Sequence, residues 1–285
     1  MTNISPGRKV LAFKHKPCLG DVIYGLPVVQ SLGGGILYLD PAAHGHREVA
    51  EYWNHYPADE NRPGSDLDRT VHGWISQFNL LIPVLKQLNY IHDARIYWGE
   101  PIDIDLDNYY HCGHMSGSRN YTIVDAHYRG VCQHIRLPPA RPTPPWLRVQ
   151  GNRLKDQGET YSVVFTNNGR WLTPGTYSLA FMDELNVHIK EQIANVHSGI
   201  PEQEHIGVHR PVTSLLDWFE LIDGCDLFIG NQSFPLSLAV GLGKTRMILE
   251  GGFPNCTFGH DHEHVISLDH DQNMAALRRL FPAFA

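Results

Sequence analysis

Asp21 stands in the run Leu19-Gly20-Asp21-Val22-Ile23-Tyr24-Gly25-Leu26-Pro27. A carboxylate at the start of a helix is favoured by the helix dipole, by about 0.3–1 kcal/mol, and capping alone accounts for it. The same carboxylate, facing the carboxyl end of a parallel sheet, is also placed to take a proton from an acceptor hydroxyl. The loop before it, His15 to Gly20, is longer than capping needs. A second run, Asn231-Gln232-Ser233-Phe234-Pro235-Leu236-Ser237, follows an apolar strand and opens a helix with Pro235 in its first turn, where proline is tolerated. Free backbone N–H groups at such a helix start attract anions and suit a nucleotide pyrophosphate. The plainer reading is an ordinary turn with Ser233 as N-cap.

Other patterns carry less. Gly241-Leu242-Gly243-Lys244-Thr245 ends like a phosphate-binding P-loop, but Leu238 stands where the motif needs glycine. It also follows a helix and precedes a strand, the reverse of the required order. No GxGxxG fingerprint accompanies the first helix. The chain has 18 histidines. His260, His262 and His264 would share one face if the segment were a strand, and three histidines with a water make a zinc set. The segment between Gly259 and Val265 reads more simply as an exposed polar loop, so no metal site is assigned. His111, Cys112 and His114 form a second polar cluster. His127 is paired with Asp125, as an acceptor-side or structural pair.

These residues need elements to position them. Val10 to Phe13 reads as a buried strand, Asp21 to Leu32 as a helix, and Gly33-Gly34-Gly35 as its end. Ile36 to Asp40 is then a second strand, which closes a parallel βαβ unit. Helices are expected over 71–90 and 123–135. Residues 138–145 hold five prolines in eight positions, an extended segment that reads as the approach to a domain boundary. A second alternating pattern follows: strands at 161–166, 193–197, 226–230 and 246–250, helices at 175–190, 215–225, 235–243 and 274–281. The fold class expected is α/β, with two Rossmann-like domains facing across a cleft. The first spans residues 1–148 and the second 149–285, the last helix being free to pack back on the first.

The formal net charge of −7 argues against a duplex-DNA binder that works by phosphate neutralisation. No apolar run spans a membrane and no secretory signal is visible. The five cysteines are scattered and form no CxxC pair, which fits reduced thiols in a cytoplasm.

Taken together, the two runs resemble the ADP-heptose:lipopolysaccharide heptosyltransferase family. Gly20, Asp21, Val22, Leu26 and Pro27 match its first-helix pattern. Asn231, Ser233, Pro235, Ala239, Leu242, Gly243 and Lys244 match its C-terminal hallmark. The segment 213–230 resembles its helix-strand lead-in, and 197–204, with Ser198 and Gly199, resembles a glycine- and acid-rich donor loop. The resemblance implies the GT-B fold, a nucleotide held mainly by the second domain, no required metal, and Asp21 as general base. Gln232, Phe234 and Ser237 replace the family's acid, glycine and histidine in the turn that meets donor phosphates and sugar. The donor is therefore not carried over as ADP-heptose.

The function expected is an inverting glycosyltransferase that moves a sugar from a nucleotide-sugar donor to an acceptor hydroxyl, on an envelope glycan or a hydroxylated DNA base. Donor contacts are assigned to Arg170, Ser198, Gly199, Asn231, Gln232, Ser233, Phe234 and Ser237. Lys14 and Lys16 are placed to neutralise a leaving diphosphate. Gly20, Tyr24 and His127 lie on the acceptor side. No cofactor beyond the nucleotide-sugar is required. Two rival readings are a non-transferase GT-B relative, such as a sugar-nucleotide epimerase or binding subunit, and a metal-dependent hydrolase built on the histidines.

Overall fold

Two parallel sheets carry the chain. The computed structural model describes residues 9–16, 18–41, 71–112, 121–132, 135, 143–148, 151–167, 177–198, 203–249 and 256–284, with backbone alone at 71–73 and 197–198. The first sheet is built from β1 (Leu11–His15), β2 (Gly35–Leu39), β3 (Ile91–Ile96) and β4 (Ile104–Asp105), in the order β3-β2-β1-β4. The second contains β5 (Val163–Asn167), β6 (Ile193–Ser198), β7 (Val208–His209), β8 (Leu227–Asn231), β9 (Thr245–Leu249) and β10 (Glu263–Val265), in the order β10-β9-β8-β5-β6-β7. Counted from β5, that is the doubly wound order 3-2-1-4-5-6. The first sheet repeats its beginning. In each sheet the strand order reverses beside the first strand, between β1 and β4 and between β5 and β8. Ligand crevices open at such reversals, beyond the carboxyl ends of the strands.

The helices are α1 (Leu19–Ser31), α2 (Val71–Leu85), α3 (Ile123–Cys132), α4 (Arg153–Asp156), α5 (Ala180–Ile189), α6 (Leu215–Gly224), α7 (Phe234–Gly241) and α8 (His270–Leu280). A 3-10 segment, Leu106–Cys112, follows β4. After α1 the chain reverses through Gly33 and Gly34, both at positive φ (91° and 84°). A Cβ at Gly34 would lie 2.1 Å from the Tyr90 carbonyl oxygen, so only glycine fits.

Some elements differ from the sequence reading. The helix expected over 71–90 ends at Leu85, and the chain re-enters the sheet as β3. Only Ile91, Ala94 and partly buried neighbours of β3 face inward, so its apolar signal is weak for an edge strand. The segment expected as an exposed polar loop at 259–265 is corrected too: Glu263 to Val265 is β10 and Glu263 is buried. Glu263 pairs with the fully buried Arg246 of β9, and its other oxygen accepts the Phe258 and Gly259 N–H groups at 2.7 and 2.9 Å. A buried charge is tolerated when it is paired and hydrogen-bonded in this way. The last helix, α8, packs on β9, β10 and α5, burying Met274 and Leu277 beside Phe181 and Leu185, rather than on the first sheet.

One apolar core runs from the first sheet into the second. It joins Phe13, Val22, Leu26 and Leu37 to Trp146, Leu147, Leu236, Ala239 and Ile248. The Trp146 and Leu147 N–H groups both donate to the Gly241 carbonyl at 2.9 Å, which ties the end of the proline-rich segment to α7. The prolines at 138, 139 and 142 lie outside the described residues. No described helix is long and apolar enough to cross a membrane.

Candidate active site

The starts of α1 and α7 meet. A Cβ added at Gly20 would lie 3.7 Å from Ser237 Oγ and 3.8 Å from Phe234 Cα, ordinary contact distances. The two runs singled out in the sequence, more than 200 residues apart, are thereby brought to one place between the sheets. Each helix follows a strand at its sheet's reversal point, β1 for α1 and β8 for α7.

Asp21 occupies the first turn of α1 and is partly exposed. The phenol of Tyr109, from the 3-10 segment, donates a hydrogen bond to its Oδ2. Burial, and then the charge of Asp21, push the Tyr109 phenol well above its usual range, so it remains a donor at any physiological pH. The Tyr109 ring stacks on His127 of α3, with centroids 3.9 Å apart and planes 11° off parallel. His127 in turn meets His15, at the end of β1, with the two Nε2 atoms 3.1 Å apart. Both histidines are fully buried. Gly25, one turn along α1 from Asp21, faces this pair: a Cβ there would lie 3.2 Å from His15 Cδ2 and 3.3 Å from His127 Cδ2.

The expected pairing of His127 with Asp125 is overturned. Residues two apart on a helix point to different sides. Asp125 instead caps the start of α3, accepting from Thr122 N at 2.7 Å and Thr122 Oγ1 at 2.9 Å.

The two lysines part company. Lys14 is held by Asp105 at 2.9 Å and Asp107 at 3.2 Å, with Asp40 at 3.9 Å. Burial works against its charge, but the two nearer carboxylates outweigh burial and raise it above the usual lysine range. That charge is already balanced within the chain, which removes the expected reason to assign it to a diphosphate. Lys16 lies over the Tyr110 ring, 2.9 Å from its centroid. Burial holds its ammonium below the usual range, against the pull of Asp107 and Asp21. Tyr24 is buried and stacks on Phe258 of the second half at 6.0 Å; it belongs to the contact between halves.

In the α7 turn, Ser233 holds the N-cap position but its hydroxyl donates to the Asn231 carbonyl at 3.1 Å instead of capping the helix. The first turn of α7 carries no acid. Asn231, Gln232 and Ser237 are buried, and the Ser237 hydroxyl donates to Phe234 O at 2.7 Å. Ser237 thus fills the contact with Gly20. Arg170 and Gly199 lie outside the described residues, and Ser198 is described in backbone only, as the last residue of β6. His114 is likewise outside them, and His111 lies in the last turn of the 3-10 segment, which ends at Cys112.

The histidines at 260–264 do not converge. His260 and His262 stack parallel, 5.1 Å apart, while His264 turns to Asn273 Oδ1 at 3.1 Å. Among the described residues no group of three or more His, Cys, Asp or Glu side chains is arranged to hold a metal ion. The sequence reading missed Tyr109 and His15. The sequence reading put His15 in the loop after the first strand, whereas it is the last residue of β1. Tyr109 lies in a segment with no periodic signal, and only the fold brings it to Asp21.

No family model matches the sequence, and no curated protein matches it. Solved structures do resemble it. A glycosyl transferase family 9 protein from Veillonella parvula superposes with a TM-score of 0.51 at 10% identity, covering 98% of this chain and 99% of that one. The ADP-heptose lipopolysaccharide heptosyltransferase II of E. coli gives 0.49 at 13% identity, over 97% and 100%. With the two parallel sheets, the first of these likenesses establishes a GT-B arrangement.

Proposed function

We propose that this chain is an inverting, metal-independent glycosyltransferase using a nucleotide-sugar donor. The observation that carries the reading is the contact of Gly20 with Ser237 and Phe234, which sets a carboxylate on one helix start beside a second helix start that its own N-cap hydroxyl does not cap. In this reading residues 1–148 form the acceptor side and 149–285 the nucleotide side. Asp21, oriented by Tyr109, takes the proton from an acceptor hydroxyl. That oxygen attacks the anomeric carbon from the face opposite the leaving group, and the nucleoside diphosphate departs. The N–H groups at the start of α7 and the guanidinium of Arg170 receive the charge that develops. Lys16, close to Asp21 and poorly solvated, is the better placed of the two lysines to add to this field. The work is electrostatic, which is why no metal is called for.

The acceptor follows from the family likeness alone: a glycan hydroxyl of the cell envelope, with a hydroxylated DNA base as the second choice because the net charge is −7. The described cysteines form no disulfide with one another, in keeping with a reaction on the cytoplasmic side. A thermal-shift screen of nucleotide-sugars tests the reading, since a ligand that binds only the native state raises its apparent stability. One nucleotide series should raise Tm, and Arg170→Ala should weaken that nucleoside diphosphate about tenfold or more, the worth of a charge-assisted bond of ~1.5–3 kcal/mol. A chain that no nucleotide stabilises would overturn it.

A further inference from the structure

The described hydrogen bonds of His15 and His127 fix where three of their protons can sit. His15 Nδ1 lies 2.9 Å from the Lys16 carbonyl oxygen, and His127 Nδ1 lies 2.8 Å from the Ile123 carbonyl oxygen. A carbonyl only accepts, so each Nδ1 carries a hydrogen. The two Nε2 atoms then face each other at 3.1 Å. Two neutral rings of that tautomer would present lone pair to lone pair. A hydrogen bond between them needs a third proton.

We propose that His15 and His127 share one extra proton, forming a buried imidazole–imidazolium pair that positions Asp21 through Tyr109. Three hydrogens then satisfy four ring nitrogens and two carbonyls, and the pair carries one positive charge. Its surroundings suit that charge. The Tyr109 ring lies 3.9 Å from the His127 ring and 5.7 Å from the His15 ring, within the ~6 Å over which an aromatic face attracts a cation. Asp107 Oδ1 stands 3.8 Å from His15 Nδ1.

Among the described residues, the ionisable groups around the pair come from five elements and the segment after β1. Asp21 lies on α1, Asp105 on β4, and Asp107 with Tyr109 and Tyr110 on the 3-10 segment. Asp125 lies on α3, turned to Thr122. Lys14 lies on β1 and opposes the charge, but it is itself bound by Asp105 and Asp107. Lys16, just after β1, also opposes it and lies over Tyr110. The positive ring behind Tyr109 strengthens the phenol as a donor, and the phenol fixes Asp21 in one orientation. Gly25 leaves the room for α1 to come this close. The positioning half of this inference rests on Asp21 being the base; the shared proton does not.

The test is nitrogen-detected NMR of the full chain labelled with 15N-histidine. The pair should show three slowly exchanging ring N–H protons, two on Nδ1 and one shared by Nε2. Assignment comes from their loss in His127→Gln or, if that variant does not fold, from Overhauser contacts to the Tyr109 ring in the wild type. Two N–H protons, or an unprotonated Nδ1 on either ring, would overturn the pair. On raising pH, the Tyr109 hydroxyl proton should shift in the same step that removes the third proton. An unmoved hydroxyl would overturn the positioning role. In turnover assays His127→Gln should lower kcat about tenfold with the donor KM unchanged, and should abolish the fall of kcat that accompanies loss of the third proton in the wild type. An unchanged kcat profile also counts against positioning. Absence of any transfer activity would instead fault the transferase reading, because both NMR readouts stand without it.

Discussion

Gly20 of α1 rests against Ser237 of α7, close enough that an added Cβ would touch the serine hydroxyl at 3.7 Å. Asp21 on one half and the start of α7 on the other are thereby set beside the same small volume, where the proposed reaction would need a base and an anion site together.

Asp21→Asn should leave the fold and nucleoside diphosphate binding intact, because asparagine keeps the shape and can still pair with Tyr109. Turnover should fall by ~10²–10⁴, the usual cost of a lost general base. Initial rates on the acceptor, beside a binding titration, check both halves. Near-native turnover would mean that Asp21 is not the base.

Transfer should survive chelation. If the start of α7 and its basic neighbours supply the positive field, EDTA-treated protein keeps most of its rate. Loss of activity that a single divalent ion restores would point to a metal mechanism instead.

Gly130→Ala should cost both stability and rate. In a free helix the change would favour folding by ~1 kcal/mol. Here the new Cβ would lie 2.8 Å from Tyr109 N and 2.9 Å from Asn108 C, backbone atoms that cannot swing away. Overpacking of this kind costs about 1–3 kcal/mol and wins. The segment that yields carries Tyr109, so kcat should drop along with Tm. A gain in Tm would show that the 3-10 segment is looser than its packing suggests.

Stability should decline above pH 9 in part through Cys225. Burial pushes this thiol up to about 12 from a usual 9.0. The unfolded chain therefore loses the proton first as pH rises, and each pH unit between those values favours unfolding by up to about 1.4 kcal/mol. The contribution is absent below pH 9. Cys225→Ala should have a lower Tm at neutral pH, from lost packing, but a flatter alkaline slope up to about pH 10. Parallel slopes for the two proteins would show that Cys225 is not the group responsible.

The sequence by itself determined the elements that are periodic or punctuated. The apolar run of β1, the spacing in α1 and the glycines after it announced the first βαβ unit. Leu227 to Asn231, with the proline that follows, announced β8 and α7. These signals are local, because a helix or buried strand writes its own pattern into adjacent residues. The place of Asp21 in the first turn of α1 and the acid-free start of α7 were legible for the same reason: each depends on a few neighbours in the chain. What only the tertiary structure decided depends on residues far apart. The strand order put β4 beside β1, and that alone brings Tyr109 to Asp21, 88 positions away. The pairing of His15 with His127 spans 112 positions, and no periodicity encodes it. Sequence spacing tied His127 to Asp125 and left Lys14 open to a ligand. The fold gave Asp125 to the start of α3 and Lys14 to Asp105 and Asp107, because a buried charge takes whichever partner the packing sets within reach.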